Sequence, residues 1–451
     1  MHTRIILVAL SLPMRSTVGV LPLPMQAEPA LQRTQSVSEL LAAARGVPAT
    51  MCALASNGAS NGWGGWDAPS MSIHVDNSAV LRETMRGAAL SDDERRVLIT
   101  GLASDDACVR QMAGTLIGRS GDRDFVPQLI SRLSSSNVAE RAGAARALGL
   151  LGDRSAVDDL VRLLRDAAPE ARANAAWALG RIGERNVAPS IAPLVSDAST
   201  EVRLAAVTSL GHLRASDNVE TLLRVLKQDE SADVRRTAAW ALAEIGAREA
   251  ANGLADALRS DKSATVREMC AWALGEVHAR DLSDALVTAA SSDADEHVRE
   301  TAAWALGELG VKKSSDALAK VVSSDKDARV RGTAAWAIGE LNPGRAPHAL
   351  VAALKDSDDE VRLKAAWALS QIGDADVVND VEAALKTETH DRVRTALVRA
   401  LLESGDRSTD AFKDLLESKD SDTREMAVRA LAGRRGPWPW PWPQPRPRPF
   451  P

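Results

Sequence analysis

Histidine, cysteine, glycine-rich loops and tryptophan are the places in this 451-residue chain where chemistry could reside, and spacing separates them. The seven histidines, His2, His74, His212, His278, His297, His348 and His390, include no H-E-x-x-H spacing and no His-Glu dipeptide, so none is set to share a metal with a neighbour one helical turn away. Each reads as a solvated or helix-end residue. Cys52, Cys108 and Cys270 lie too far apart for any C-x-x-C pair, which removes zinc-ribbon and thioredoxin-type chemistry. They read as unpaired small hydrophobes, with a Cys52–Cys108 disulfide as the alternative in an exported chain. The glycines between Ser56 and Asp67 are not followed by Lys-Ser/Thr, so they do not make a phosphate loop. Nor is there a local Ser/His/Asp signature. No catalytic residue, metal site or cofactor is therefore expected.

Tryptophan behaves differently. The chain holds eleven Trp but three Phe and no Tyr, which points to a core of Ala, Leu and Val and a separate task for the indoles. Six of them, Trp177, Trp240, Trp272, Trp304, Trp336 and Trp367, stand five residues after a recurring arginine, with Thr208 breaking the series. Four residues after four of these stand Glu244, Glu276, Glu308 and Glu340. Indole and carboxylate at this spacing suit a cationic or proline-containing peptide, through stacking and cation–π contact. The competing reading is that each Trp lies over a small Ala of the next repeat and supplies packing.

The elements that position them follow from the arginines: Arg110, Arg141, Arg172, Arg203, Arg235, Arg267, Arg299, Arg331, Arg362, Arg394 and Arg424, with a mean period of 31.4 residues. In the phrase from Val298 to Gly310, Val298, Ala302, Ala305, Leu306 and Leu309 fall on one side of a helix. Trp304, Glu300, Thr301 and Glu308 point nearly opposite, onto an expected exposed ridge. Since one Trp can bury ~150–250 Å², five half-exposed ones would rival the ~300–600 Å² of a typical monomer's largest apolar patch. Four residues before the arginine stand the N-cap types Asp106, Asn137, Ser199, Ser231, Ser263, Asp295, Asp327, Asp358 and Asp420. Eleven after it stand Gly121, Gly152, Gly183, Gly246, Gly310, Gly373 and Gly405, suited to a left-handed helix end. A second apolar-periodic segment, such as Ala317 to Val322, fills the interval. Each repeat thus predicts two antiparallel helices, and neighbours must stack to bury them. A glycine eight residues after the arginine, as in Gly118, Gly149, Gly180, Gly211, Gly275, Gly307 and Gly339, predicts close backbone packing there.

The phrase V-R-x-x-A-A-x-A-L-G-x-[IL]-G, with Asp166, Asp197, Asp229, Asp261, Asp293, Asp325 and Asp356 six residues before Arg, resembles HEAT repeats of the phycobilisome-lyase type over about residues 91–433. The resemblance implies an all-α, right-handed superhelical solenoid of about eleven two-helix repeats. It further implies an Asp–Arg ladder and arginine-bearing helices on the concave face. The repeats at Arg110, Arg141, Arg394 and Arg424 lack the Asp, as capping repeats do. Deoxyhypusine hydroxylases, which also use HEAT-like repeats, carry His-Glu pairs that are missing here. The expected function is a non-catalytic scaffold that takes a protein or peptide on its Trp/Glu face. A phycobilin-lyase-like enzyme or accessory subunit is the alternative.

The flanks differ in kind. Residues 1–27 resemble a secretory signal, with Arg4, the uncharged run Ile5 to Met14 and Ala27 before Glu28, although Arg15 and three prolines interrupt the pattern. Export to a periplasm or the exterior is expected, with a cytoplasmic chain as the alternative. Residues 28–90 read as a helical cap, with short helices from Ser38 to Arg45 and from Asn77 to Gly87 around a Gly/Trp loop. In residues 434–451 proline alternates with Trp438, Trp440, Trp442, Arg446, Arg448 and Phe450, which predicts an extended tail. Docking of that tail onto the Trp/Glu stripe is one expectation for it. A net charge of −6 gives no case for nucleic acid. No later stretch approaches the ~18 apolar residues of a membrane span.

Overall fold

The computed structural model describes residues 37–46 and 90–404, with isolated helical positions between 416 and 428. The signal-like segment, the Gly/Trp loop, the second short helix of the cap and the Pro/Trp/Arg tail lie outside the described residues, as do Gly405 and Asp420. Every regular element among the described residues is a helix. A cap helix, Val37–Ala43, packs on the first pair, Asp92–Gly101 and Ala107–Ser120. Nine further pairs follow, ending with Val378–Thr387 and Asp391–Glu403. No described helix is long and apolar enough to cross a membrane.

In each pair the arginine helix runs 13 or 14 residues, and its companion is shorter. The companion around residue 190 is the most broken: Pro193 has no N–H to give, and helix Ala188–Ile191 tightens into a 3₁₀ turn, Ala192–Ser196. Arginine helices of adjacent repeats pack along their lengths, whereas adjacent companions touch sparsely. The arginine helices thus form the more continuously packed layer, the one that the HEAT-repeat resemblance assigns to the concave, inner face. The core between the layers is built of residues such as Val298, Ala302, Leu306 and Leu318, all fully buried.

The ladder implied by the HEAT-repeat resemblance is present and runs between repeats. Arg235 donates from Nε and Nη2 to the Asp261 carboxylate, at 2.7 and 2.9 Å, and from Nη1 to the carbonyl of Asp229 at 2.9 Å. Asp261 accepts a further bond from the backbone N–H of Ser263 at 2.8 Å. The same fork joins Arg141 to Asp166, Arg172 to Asp197, Arg267 to Asp293 and Arg331 to Asp356. At the C-terminal end Glu388 takes the Asp role for Arg362. Asp166, Asp197 and Asp356 are held below the usual carboxylate range, first by the hydrogen bond from the arginine of the preceding repeat.

The ladder also changes the expected capping. Asp106, Asn137, Asp295, Asp327 and Asp358 cap their helices through the side chain. Ser199, Ser231 and Ser263 make no such bond. Their own N–H groups are bound by the ladder aspartates two residues earlier, as are those of Asp295, Asp327 and Asp358. At the other helix end the left-handed position is filled by Gly121, Gly152, Gly183, Gly246, Gly310 and Gly373. Arg214, His278 and Asn342 hold the same conformation, with φ of 50°, 55° and 40°, in the three repeats without that glycine.

Candidate functional site

The six repeat tryptophans do not form an exposed ridge. Trp304, Trp336 and Trp367 are 6%, 4% and 5% exposed, and Trp177, Trp240 and Trp272 are half-buried against the core. Five of the indoles, all but Trp272, lean back onto the preceding repeat and not over an Ala of the next one, and their seat is the recurrent glycine, which is replaced by Ala243 ahead of Trp272. A methyl placed on Gly149 would come within 2.9 Å of Trp177 Cζ3, on Gly211 within 2.7 Å of Trp240 Cζ3, and on Gly307 within 2.9 Å of Trp336 Cζ3. Trp336 and Trp367 stack with centroids 6.5 Å apart. A helix viewed alone has its ridge in solvent; in the solenoid the neighbouring helix lies beside that ridge, and the missing Cβ lets the indole slide between them. The structure thus places five of the six indoles at inter-repeat contacts, with Trp272 half-buried against the core.

The glutamates keep their surface position. Glu276, Glu308 and Glu340 are exposed and Glu244 is half-buried, one per repeat along the inner face. The Glu340 carboxyl is pushed above its usual range by partial burial and by Glu308 of the preceding repeat, so this column concentrates negative charge.

Beside it runs a second row of half-buried charge that the repeat register alone does not single out. Arg236, Glu268, Glu300 and Lys364 come from four of five successive arginine helices, one or two residues past the arginine. Burial raises Glu268, and nearby Asp295 and Glu300 add to it against the pull of His297 and Arg236. Thr333 Oγ1 donates to Glu300 Oε1 at 3.2 Å. Lys364 folds over Gly332, whose missing side chain makes room for it, and burial lowers its pKa against the pull of Glu300. A signal existed in the sequence: polar residues at positions that would otherwise repeat.

Towards the N-terminal end the same face turns basic, with Arg119, Arg181 and His212 in the column that the glutamates occupy later. Arg146 and Arg181 bring their guanidinium carbons to 5.1 and 5.7 Å from the Trp177 ring centroid. Among the described residues, no three His, Cys, Asp or Glu side chains come together as a metal site would require. Cys270 is free and fully buried, which pushes its thiol far up and makes it inert. Cys108, expected to be unpaired, is disulfide-bonded. The other cysteine of the sequence, Cys52, lies outside the described residues.

With this geometry in place, the HEAT-repeat family profile matches residues 95–166, 126–198, 188–274, 251–339 and 315–402 in overlapping windows. The chain belongs to the HEAT-repeat family. No curated protein matches this HEAT-repeat chain. Among solved structures, importin beta in an ammonium sulfate condition superposes with a TM-score of 0.55 at 14% identity, over 87% of this chain and 62% of that one. A chain from the structure in which Kap95p binding induces the switch loops of RanGDP to adopt the GTP-bound conformation gives 0.55 at 15%, over 75% and 56%. This HEAT-repeat chain therefore spans less than two thirds of the length of either. The complex of CpcE and CpcF of phycocyanin lyase from Nostoc sp. PCC7120 is 24% identical over 50% of this chain and 91% of that one, with a TM-score of 0.32. At these identities the importin-like similarity is one of fold.

Proposed function

We propose that this HEAT solenoid is a non-catalytic scaffold whose inner face binds an extended, basic segment of a protein partner. The carrying observation is the column Glu244, Glu276, Glu308 and Glu340, set at one-repeat intervals, with Glu308 raising Glu340. At about 10 Å between packed helices, the column spans about 30 Å, the reach of about nine extended residues. A cationic ligand would relieve the mutual repulsion of the carboxylates, and the edges of Trp240 and Trp272 beside them offer stacking. The indoles serve the site mainly by fixing the repeat spacing that sets the distance between carboxylates. Kap95p binding acts on RanGDP in the fold neighbour named above, which agrees with a protein-binding role for such a surface.

The chain carries one candidate ligand of its own: from Gly433 onward it has four Arg and no acid. Self-docking of this tail belongs to the same reading. Deletion of residues 436–451 should then alter Trp fluorescence or oligomeric mass, and no change in either would remove the tail as a ligand. For the scaffold itself, a labelled Arg/Pro peptide titrated into the intact protein should bind in low salt. Glu308→Gln combined with Glu340→Gln should weaken it by about tenfold or more, roughly 1.4 kcal/mol. Equal binding by the variant would sink the proposal.

We further propose export to an oxidising compartment. The support is the disulfide at Cys108, since such bonds are rare in reducing cytosol, together with the signal-like first 27 residues. Mass spectrometry of the protein from its native source should find the N-terminus near Glu28; an intact Met1 would refute cleavage.

A further inference from the structure

We propose, resting on the inner-face reading above, that Trp272 and Glu268 form the subsite that selects an arginine in the bound segment, with the guanidinium flat on the indole and its N–H groups turned to the carboxylate. Both residues stand on helix Ala264–Glu276, four apart, so they share one face and lie one turn from each other. A long side chain in a helix leans towards the N-terminus, which carries the indole over the turn that holds Glu268.

Trp272 differs from the other repeat tryptophans because its seat is filled. Ala243 stands where the preceding repeat would supply glycine. At Gly149, Gly211, Gly307 and Gly339 an added methyl would come within 2.9, 2.7, 2.9 and 2.5 Å of the indole, closer than side chains pack. The methyl of Ala243 therefore keeps Trp272 from sinking into the seam as those four indoles do. Of the three half-buried indoles, Trp177 carries Arg146 and Arg181, and Trp240 meets His212 edge-on. Among the described residues neither a cation nor a ring lies against Trp272, so its exposed part is unclaimed.

Glu268 supplies the charge. Its carboxyl has no hydrogen bond or direct ion pair among the described residues; burial disfavours its charged form, Asp295 and Glu300 add to that, and His297 and Arg236 pull the other way. A guanidinium laid on it offsets both the burial and the repulsion through charge-assisted N–H bonds. Arginine suits the pair better than lysine, because its planar fork stacks on an aromatic ring and donates sideways at the same time. The combination occurs once along the array. The residue one turn before each Trp reads Ala173, Arg236, Glu268, Glu300, Gly332 and Leu363. The other acid, Glu300, already accepts from Thr333, and its Trp304 is buried. Glu276 of the acidic column stands one turn beyond Trp272 on the same helix, about 6 Å along its axis. A segment lying on the column therefore places an arginine over the indole.

The test uses the intact protein labelled with 5-fluorotryptophan and followed by fluorine NMR, with Nα-acetyl-arginine amide as the probe. The Trp272 resonance, assigned by its loss in Trp272→Phe, should shift most, and Nα-acetyl-lysine amide should need about fivefold higher concentration for the same shift. Glu268→Gln should weaken the arginine probe by about fivefold, whereas Glu308→Gln with Glu340→Gln should leave it unchanged. Ala243→Gly reopens the seat and should abolish the response; it also marks the Trp272 resonance should Trp272→Phe not fold. No shift at Trp272, a response shared equally by the other tryptophans, equal binding of the lysine probe, or equal binding by Glu268→Gln would overturn the inference. A Trp272 shift alongside failure of the Arg/Pro peptide would sink the scaffold reading alone. Peptide binding with a silent Trp272 would sink this subsite alone.

Discussion

At the residue scale, the decisive pair is the tryptophan of one repeat and the glycine of the repeat before it. Ala is the better helix former by about 1 kcal/mol, so Gly307→Ala would stabilise a solvent-exposed helix. Here the new methyl would meet Trp336 Cζ3 at 2.9 Å and the backbone Cα of Ala337 at 3.1 Å. A net loss of about 1–3 kcal/mol is expected from overpacking, read from the urea midpoint; a gain would mean the indole is free to move away. The left-handed helix ends give the opposite sign. His278 holds φ 55° where most repeats have Gly, and His278→Gly should raise stability by about 0.5–1 kcal/mol with an unchanged urea slope. His212 supplies a pH signature. Its pKa falls from 6.5 to about 4 because of burial and then Arg181, so the folded protein keeps it neutral while the unfolded chain takes up a proton below 6.5. Stability contributed by neutral His212 is therefore lost as pH falls from 6.5 towards 4, by up to about 3 kcal/mol. His212→Gln should flatten that stretch of the pH profile.

At the element scale, helices are joined less by propensity than by the ladder. Each aspartate receives the fork of the preceding arginine and also binds an N–H at the start of its own helix, so one carboxylate serves two repeats. Asp261→Ala leaves Arg235, a buried side chain, without its ion partner and should cost about 3–5 kcal/mol. Asp316→Ala, at an exposed position on a companion helix, should stay within about 0.5 kcal/mol. Equal effects would show that the ladder adds little to stability. The repeat period and the two helices were legible in the sequence, because each is written in a short phrase that recurs along the chain, and the Asp–Arg pairing followed from the resemblance of that phrase to HEAT repeats. The serine positions differ from the capping aspartates in side chain alone, since the ladder aspartate binds the N–H of Asp295, Asp327 and Asp358 as it does that of Ser199, Ser231 and Ser263.

At the scale of the whole molecule, a solenoid is a chain of nearest-neighbour interfaces, so damage at one end need not travel. Reduction of the Cys108 disulfide should speed amide exchange in Ala107–Ser120 and its companion Asp92–Gly101, and leave Glu296–Leu309 unchanged. A uniform rise along the array would instead indicate one cooperative unit. The same geometry makes one column of the array a record of charge by position, with Arg119 and Arg181 in the early repeats and Glu244, Glu276, Glu308 and Glu340 in the later ones.

The sequence by itself determined the period, the helix pairs and the column of glutamates, since these depend on residue type at fixed spacing along the chain. Only the tertiary structure decided the role of the tryptophans. Helical periodicity describes a helix against its own core, and whether the opposite ridge meets water or a neighbour depends on how closely the next repeat approaches. At Gly149, Gly211, Gly275, Gly307 and Gly339, eight residues after the arginine, the missing side chain permits that approach and admits the indole of the next repeat into the seam.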